Sequence, residues 1–394
     1  MEIKREVMTR NRLNNKIENK IENKIENKIT DDRRYNVVYV CVIGLVVLGL
    51  SLAAWLKPAD EFSATERRAL EQFPKLSGEE ILSGRFMQNF EEYTLDQFPL
   101  RDTFRSIKAM THLYLFGQSD NNDVYMADGY VSKLDYPLSE NALNKAVKKY
   151  RAVYDKYLKG TDVKVYHSVI PDKNYFLAEA NGYPAYDYEK MYAYMQDNLP
   201  DMMYIDITDL LSVEDFYYTD THWKQESIVD VARTLGSAMG VELTADYREV
   251  TPDTPFYGVY YGQLALPIEP DRITYLDHED FAECTVINHE TGKEMSMYDM
   301  DKAVGRDPYE MYLSGSLSVI TIDNPNASTE RELVIFRDSF GSSLAPLFVE
   351  GYAKITVLDA RYMNEMMIGK FVEFTDQDVL FIHSTGVLNN ATAF

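Results

Sequence analysis

An uncharged apolar run near the amino terminus constrains the fold of this chain more than any other feature. It extends over Asn36–Leu56, NVVYVCVIGLVVLGLSLAAWL, without a charged side chain. At about 1.5 Å per residue, a helix of this length spans about 30 Å, the hydrocarbon thickness of a bilayer. Tyr35 and Trp55 lie at its two ends, where interfacial aromatic residues are common. The run therefore predicts a transmembrane helix over 36–56 that divides the chain in two.

The charges that precede this run predict its orientation. Residues 1–34 contain ten Lys or Arg and seven Asp or Glu, and Arg33 and Arg34 adjoin the run. Because basic residues favour the cytoplasmic side, we expect a cytoplasmic tail and an extracytoplasmic remainder. A cleaved signal peptide is the alternative, with Ser51–Ala53 as a small-residue cleavage site. The apolar run is longer than a typical signal core, which favours an uncleaved anchor.

In the tail, residues of the same kind recur every four positions. IENK occurs three times in succession, so that in a helix Glu would stack on Glu and Lys on Lys, while opposite charges would not face each other. The Asn in each repeat lowers helix propensity further. We therefore expect residues 1–34 to be mostly disordered. The alternative is a coiled coil through a stripe formed by Ile17, Ile21, Ile25 and Ile29.

Overall composition excludes several classes of protein. The formal net charge is −23, and it is −26 once the tail, with its surplus of three basic residues, is removed. Such a chain repels the phosphate backbone, so we predict no nucleic-acid partner. The two cysteines, Cys41 and Cys284, lie far apart and form neither a disulfide framework nor a zinc site. We expect no cofactor and no metal.

The part of the chain that follows the anchor begins with a helical pattern. Apolar residues recur at helical spacing over Ile81–Phe98, and DVYMADGYVSKL is typical of a hairpin with its turn at Asp128 and Gly129. We interpret residues 57–135 as a helical neck or cap.

Strands and helices alternate over residues 136–394. Helical patterns follow Ser139, a predicted N-cap, and occur again over 187–199, 224–239 and 363–373. Apolar strand patterns occur at 163–170, 203–207, 331–336, 353–359 and 378–384. This alternation predicts an α/β fold, with a parallel sheet and helices on both faces. Residues from about 240 to 315 have short strand patterns and turns, and we interpret them as a β-rich insertion.

A serine follows one of the predicted core strands. In LVIFRDSFGSS the strand leads directly to Asp338 and Ser339 and then to a predicted helix. A serine at the carboxyl end of a strand and the start of a helix lies where a backbone N–H and the helix dipole stabilise an oxyanion. Taken alone, Ser339 or Asp338 is better explained as a helix cap.

A second motif supplies what such a serine needs. FYYTDTHWKQES contains Asp220 and His222, and the whole chain has only six histidines. A serine is inert without a base, which is normally a histidine oriented by an acid. The joint occurrence of the two motifs therefore favours a catalytic Ser339–His222–Asp220 triad over two separate caps. Trp223 lines the cleft or fills the core, and we expect the core.

These residues carry a family resemblance. RDSF after a strand resembles the GDS block of the SGNH hydrolase superfamily, with Arg337 in place of Gly. DTHW resembles the D-x-H-W motif of the branch that includes the alginate O-acetylation proteins and the bacterial DHHW proteins. The neck sequence ERRALEQFPKLSGEEILSGRFMQNFEEYTLDQFPLRDTF is similar to the amino-terminal signature of that branch. The similarity extends from about Glu66 to the end of the chain.

The resemblance implies a circularly permuted fold and specific roles. The acid and base precede the serine here, whereas in the ordinary SGNH order they follow it. Strands 163–170 and 203–207 would be the fourth and fifth of the superfamily, and the three later ones its first three. Ser339 would be the nucleophile, His222 the base and Asp220 its orienting acid.

Further site residues are less specifically indicated. Arg361, and one of His383, Ser384 or Asn389, are candidates for the oxyanion hole or substrate contacts, because they follow the second and third superfamily strands. Lys173, after strand 163–170, also faces the predicted cleft. Each has a structural alternative as a loop or capping residue. The acidic loop around His278 lacks a second ligand pair, so we predict no metal there.

Together these features predict a membrane-anchored, extracytoplasmic O-acetyltransferase or acetylesterase that acts on a cell-surface polysaccharide through an acetyl-enzyme. The resemblance implies a membrane-bound O-acyltransferase partner as the acetyl donor. The acidic surface favours a neutral glycan. The alternative is a non-catalytic protein of this fold that binds glycans or serves as a scaffold in a cell-envelope complex.

Overall fold

The computed structural model describes residues 2–394, with side chains described for 16, 20, 24, 28 and 33–394. Contacts divide the chain into two compact units. The anchor unit comprises Met1–Glu61 and Leu70–Arg101, and the α/β unit comprises Phe62–Ala69 and Asp102–Phe394. The short segment 62–69 thus belongs to a different unit from the residues on both sides of it.

The anchor unit contains α1 (Glu2–Leu56), α2 (Gly78–Leu82) and α3 (Arg85–Asp96). Within α1, Arg33–Leu56 is long and apolar enough to cross a membrane, with a mean hydropathy of 2.7 and no buried residue. The apolar span expected from the sequence is therefore present as a helix. A membrane anchor and a signal sequence share this length and composition.

The polar tail differs from the expectation of disorder, because α1 continues through it from Glu2. A helix that is already nucleated by the apolar span adds one hydrogen bond per residue, so the cost of starting a helix in the repeats does not arise. The isoleucine side chains of the predicted stripe lie outside the described residues, and the coiled coil remains a prediction.

Aromatic packing holds the helical part of the anchor unit together. Ser77 caps α2, since its hydroxyl accepts from the N–H of Glu80 at 3.2 Å. One face of α3 then carries Phe90 and Tyr93, whose rings lie 5.9 and 5.4 Å from that of Phe73. This confirms the helical pattern predicted around 81–98.

The secondary structure of the α/β unit follows the predicted alternation. The remaining helices are α4 (Arg101–Met110), α5 (Glu140–Val153), α6 (Lys173–Leu177), α7 (Tyr188–Asn198), α8 (Val229–Met239), α9 (Val259–Leu264), α10 (Met300–Ala303), α11 (Phe340–Leu344) and α12 (Thr385–Leu388). The strands are β1 (Phe62–Ser63), β2 (Arg68–Ala69), β3 (Val124–Ala127), β4 (Tyr130–Lys133), β5 (Lys164–Ile170), β6 (Met203–Tyr204), β7 (Arg248–Val250), β8 (Pro255–Phe256), β9 (Asp271–Arg272), β10 (Tyr275–Asp277), β11 (Thr285–Asn288), β12 (Lys293–Met295), β13 (Val319–Asp323), β14 (Glu332–Arg337), β15 (Lys354–Leu358) and β16 (Asp378–Ser384).

One eight-stranded sheet organises this unit, in the order β12-β11-β13-β15-β14-β16-β5-β6. The five strands from β15 to β6 are parallel to their neighbours. When the three carboxyl-terminal strands are counted first, their spatial order is 2-1-3-4-5, a common order of doubly wound sheets. The predicted permuted strand assignment therefore agrees with the sheet.

Both faces of the parallel region are buried. On β14, Leu333 and Ile335 pack into one apolar cluster, while Val334 and Phe336 pack into another on the opposite face. Strands covered on both sides have near-continuous apolar sequences, as LVIF does. This continuous apolar pattern is the reason that the sequence located β14 correctly.

The region from 240 to 315 is only in part a separate insertion. β7 pairs with β10 and β8 with β9, as small antiparallel pairs. β11 and β12, however, continue the main sheet through β13, which pairs antiparallel with β15. The antiparallel extension was not predicted, since short alternating strands carry no information about the edge that they join.

Some predicted elements have different bounds. The helix expected over 224–239 begins at Val229 and is preceded by a 3-10 turn at Gln225–Ser227. The strand expected over 203–207 is limited to β6, and the helix over 363–373 is a short 3-10 segment, Glu365–Lys370. The predicted hairpin is present as β3 and β4.

Candidate active site

Ser339 lies at the junction of β14 and α11, in the centre of the sheet. β14 pairs with β15 on one side and β16 on the other, so this junction is at the switch point of the strand order, where doubly wound sheets bind ligands. Asp338 fixes the junction: its Oδ1 accepts from the N–H of Phe340 at 3.1 Å, and its Oδ2 accepts from the N–H and hydroxyl of Ser384, both at 2.7 Å. The capping role considered for this pair therefore falls to Asp338.

Arg337 and Gly341, on the two sides of Ser339, pack against each other, and this packing accounts for the arginine that stands where the family block has glycine. Arg337 is fully buried; it donates to the carbonyl of Gly315 at 3.1 Å and lies 3.5 Å from Asp359. A Cβ on Gly341 would lie 2.5 Å from Cβ of Arg337, so the close turn requires glycine at 341. Contacts with Gly315 and Asp359 therefore hold the Arg337 side chain, against which the turn at Gly341 packs.

A dense set of hydrogen bonds shapes the turn that carries the acid and the base. The backbone N–H of Tyr217 donates to the carbonyl of His222 at 3.1 Å, which closes the turn. Asp271 accepts from the N–H groups of Tyr218 and Thr219, both at 2.7 Å. Gly258 packs so closely on this turn that an added Cβ would lie 2.3 Å from the carbonyl carbon of Thr219.

The packing of the serine turn and of the turn that carries the acid and the base brings Ser339, His222 and Asp220 into contact. Nε2 of His222 lies 2.8 Å from Oγ of Ser339, and Nδ1 of the same ring lies 2.6 Å from Oδ1 of Asp220. With Nδ1–H donating to Asp220, Nε2 accepts the serine proton. A nucleophile in contact with a base that is oriented by an acid is the geometry in which a serine is activated.

The carboxylate of Asp220 has no exposed surface and is fully engaged. Its second oxygen accepts from Nη1 of Arg67 at 2.9 Å and from the N–H of Val259 at 2.8 Å. Burial by itself raises the pKa of Asp220, but His222, Arg67 and the Val259 N–H outweigh it and hold this pKa well below its usual range. The acid is therefore an anion at neutral pH.

Aromatic residues hold the imidazole and the turn. The ring of Tyr309 stacks on His222 with centroids 3.8 Å apart, and Phe340 borders the same ring at 4.8 Å. Trp223 is fully buried, as predicted, and its indole N–H contacts the carbonyl of Phe340 and the hydroxyl of Ser343 at 3.2 and 3.0 Å. Trp223 thereby joins the Asp–His turn directly to the helix that follows Ser339.

The other predicted site residues are engaged elsewhere. Lys173 is buried, donates to the carbonyls of Tyr217 and Tyr218 at 2.9 and 3.2 Å, and burial lowers its pKa to about 7. It supports the turn rather than opening towards a cleft. Arg361 forms a bidentate pair with Asp359 at 2.8 and 2.6 Å. A role for Arg361 in the oxyanion hole remains a prediction.

Two further candidates have structural contacts. Asn389 accepts from the N–H of Ser139 at 2.6 Å and donates to the carbonyl of Pro137 at 3.2 Å, so both ends of its amide hold the start of α5. His383 is buried, with Nδ1 2.5 Å from the hydroxyl of Tyr150, and burial lowers its pKa to about 4. These contacts fit packing roles for both residues.

Among the residues whose side chains are described, no cluster of His, Cys, Asp or Glu is arranged to hold a metal ion. His278 instead caps a 3-10 turn, where its ring accepts from the N–H of Asp280 at 3.3 Å.

The sequence did not indicate three important neighbours of the triad. Arg67, Gly258 and Tyr309 are distant from both motifs along the chain, and each meets the site only through tertiary packing. The only available signal for Arg67 was its place within the neck sequence that resembles the family's amino-terminal signature.

Comparisons with known proteins agree with this architecture. No family model matches the chain, and no curated protein matches it significantly. Among solved structures, a DHHW family protein from Eubacterium siraeum superimposes with a TM-score of 0.56 at 20% identity, over 70% of this chain and 94% of the other. PatB1 from Bacillus cereus superimposes with a TM-score of 0.55 at 18% identity, over 69% and 98% of the two chains, and its structure with a sulfonyl adduct does so at 0.54. The chain therefore has the fold of these proteins, the SGNH-like α/β fold that the two motifs predicted.

Proposed function

We propose that this chain is a membrane-anchored O-acetyltransferase or acetylesterase that uses Ser339 as its nucleophile. The observation that carries the proposal is the continuous chain of contacts from Oγ of Ser339 through His222 to Asp220, at 2.8 and 2.6 Å. Caps and core contacts alone do not require a serine hydroxyl, an imidazole and a buried carboxylate in this order.

The geometry supports a two-step acyl transfer. Oγ of Ser339 attacks the carbonyl carbon of an acetyl ester while its proton passes to Nε2 of His222, and Asp220 stabilises the resulting imidazolium. His222 then returns the proton to the leaving oxygen, and an acetyl-serine forms. In the second step His222 takes a proton from a sugar hydroxyl or from water, and the resulting oxygen attacks the acetyl carbon. The bond from that carbon to Oγ then breaks, and His222 gives its proton to Oγ, which regenerates Ser339. The Ser339 N–H is the first candidate for an oxyanion donor, with Arg361 as the second.

The acetyl group and the polysaccharide come from the family resemblance. The apolar span of α1 and the basic residues before it support an N-terminus in the cytoplasm and an α/β unit outside. An extracytoplasmic transferase needs a donor at the membrane, for which a membrane-bound O-acyltransferase is the proposed partner. The net charge of the part after the tail favours a neutral glycan as acceptor.

The test is acetyl release from p-nitrophenyl acetate by the full chain in detergent. We expect Ser339→Ala to abolish release while Ser237→Ala, at an exposed serine on α8, retains it. Because PatB1 was solved with a sulfonyl adduct, a sulfonyl fluoride should label the peptide that contains Ser339. Labelling should be absent in Ser339→Ala.

Two results would contradict the proposal. Acetyl release that survives Ser339→Ala would exclude the mechanism. A wild-type chain that neither releases acetyl nor reacts with the sulfonyl fluoride, but retains a neutral glycan on a column, would favour the non-catalytic binding protein instead.

A further inference from the structure

An arginine from outside both motifs contacts the acid of the triad. Arg67 lies between β1 and β2, in the short segment 62–69 whose chain neighbours on both sides belong to the anchor unit. Its Nη1 is 2.9 Å from Oδ2 of Asp220, 153 residues away along the chain. The same guanidinium forms an ion pair with Asp307, and its side chain is 12% exposed. One guanidinium therefore bridges two carboxylates beside the catalytic histidine.

Several contacts hold Arg67 in its position. Arg67 has a φ of +55°, in the left-handed region that non-glycine residues seldom adopt. Its carbonyl accepts from the side chain of Arg306. A Cβ on Gly262 would lie 2.4 Å from the carbonyl oxygen of Thr65, so the segment is seated tightly on α9. A backbone held in a costly conformation by surrounding contacts is typical of functional positions.

Residues 306–309 support the acid and the base together. Arg306 binds the backbone of Arg67, Asp307 binds its guanidinium, and Tyr309 stacks on the ring of His222. The carboxylate of Asp220 is thus fixed from one side by Arg67, and the imidazole is fixed from one side by Tyr309. Arg67 and Tyr309, which are remote in sequence, together support the Asp–His pair.

We propose that Arg67 is a positioning residue of the triad: it holds Asp220 so that Oδ1 faces His222, and its positive charge limits how readily His222 takes up a proton. The proposal rests on the proposed serine mechanism. Oδ1 is free for the imidazole because Arg67 and the Val259 N–H occupy Oδ2. Without Arg67, the Val259 N–H would be the remaining contact of Oδ2 and would hold the carboxylate less firmly, and the full negative charge of Asp220 would stabilise the imidazolium.

Other ionisable groups also face this pair. Lys173 and Tyr260 approach Asp220 from α6 and α9, and Tyr309 from the 3-10 turn at 308–311. Asp307 is the second carboxylate on Arg67, so it contributes a negative charge near the imidazole. Substitutions of Arg67 and of Asp307 therefore change the charge at the site in opposite directions, whereas loss of packing would act in the same direction in both.

The experiment compares pH–rate profiles of the full chain in detergent with p-nitrophenyl acetate. In Arg67→Gln we expect kcat to fall about 10- to 100-fold, and the acidic limb, which follows deprotonation of His222, to move up by about half a pH unit or more. Asp307→Asn should move that limb down. Arg67→Lys should restore the position of the acidic limb and part of kcat. It returns the positive charge, but an ammonium group cannot contact both carboxylates as the planar guanidinium does.

Arg68→Gln is the matched control, because Arg68 lies on the same segment and pairs with Glu66 at 3.4 Å. It should leave kcat and the limb unchanged. If Arg67→Gln does not fold, as judged by its thermal unfolding, Asp307→Asn decides the question with Arg67 in place. The proposal would be overturned if the acidic limb of the pH–rate profile does not move, or if it moves in the same direction in Arg67→Gln and Asp307→Asn. Activity that persists in Ser339→Ala would instead overturn the serine mechanism itself.

Discussion

The two sides of the candidate site are held in place by different kinds of contact. The serine side, Asp338–Ser343, follows the central strand of the sheet, and Asp338 binds Ser384 at the end of the neighbouring strand. The Asp–His side, Tyr217–Trp223, has no long strand beneath it. It is fixed by Asp271, Gly258 and Arg67, from three separate parts of the chain. The serine side therefore depends on the sheet, and the Asp–His side depends on loops that converge on it.

This difference implies different responses to mutation. A side-chain change at the Asp–His side that leaves the backbone in place can misplace the base while the sheet stays intact, so activity and stability separate. A change at the serine side alters the packing of the sheet, so the two fall together.

Asp220→Asn should have the largest effect on activity. An amide cannot hold the Nδ1–H tautomer in the same way, and about a 10⁴-fold loss of kcat is expected by comparison with serine proteases. The unfolding midpoint should fall only by the stability that the Asp220 charge contributes, because the sheet is untouched. Steady-state kinetics and thermal unfolding of the same preparation give both quantities. A variant with near-normal kcat would show that Asp220 does not orient the base.

Gly258→Ala should disturb the Asp–His side through the backbone. The added Cβ would lie 2.3 Å from the carbonyl carbon of Thr219, so one of the two loops must move, at a cost of about 3 kcal/mol. We expect a lower urea midpoint together with a loss of kcat. Gly386→Ala is the control, since a Cβ there meets nothing within 4 Å. Equal stability of the two variants would contradict the close packing of the loops.

The pH dependence of stability should distinguish the two sides. Burial lowers the pKa of His383, beside the serine side, to about 4, whereas an unfolded chain protonates histidine near pH 6.5. Between these values the unfolded state binds more protons, so His383 makes stability rise with pH by up to about 1.4 kcal/mol per unit. His167, whose pKa burial also lowers to about 4, contributes in the same way. Asp220 affects stability at lower pH. Because its pKa is depressed in the folded protein, it adds stability above about pH 4, and this stability is lost as the pH falls through the folded-state pKa.

His383→Gln should therefore flatten the stability profile between about pH 4 and 6.5. Urea unfolding at several pH values measures this slope independently of any constant loss in stability from the substitution. An unchanged slope in His383→Gln would show that this imidazole titrates alike in both states.

Trp223→Phe should have the smallest effect of these four substitutions, because it changes only a connection between the two sides and leaves the triad residues themselves unchanged. It removes the indole N–H contacts to Phe340 and Ser343 but keeps most of the apolar volume. We expect a loss of about 1 kcal/mol in unfolding free energy and a few-fold fall in kcat. Thermal unfolding and steady-state kinetics measure both. An unaltered kcat would indicate that the helix after Ser339 positions the serine without this link.

The sequence could predict the parts of the fold that local patterns encode. The apolar run of 36–56, the continuous apolar strands β5, β14 and β16, the N-cap at Ser139 and the hairpin turn at Asp128 all follow from periodicity and turn chemistry. The bounds of α8 and β6 were less accurate, because loops packed nearby decide where a helix or strand begins and ends.

The same division applies to the site. Ser339, His222 and Asp220 stand in short motifs whose residue types limit their chemistry, and the order of the motifs indicated the permuted sheet. Lys173 and Asn389 were also singled out by position, but the structure shows that their polar atoms bind nearby carbonyl and N–H groups. Position after a strand indicates proximity to a site; it does not indicate which way a side chain points.

By itself, the sequence determined the apolar span, the strand–helix alternation and the three residue types of the triad, because each depends on local spacing. Only the tertiary structure decided that Oγ of Ser339 meets His222 at 2.8 Å, and that Arg67 binds Asp220. Contacts between residues more than a hundred positions apart depend on how the sheet and loops pack. No periodicity within either segment encodes that distance.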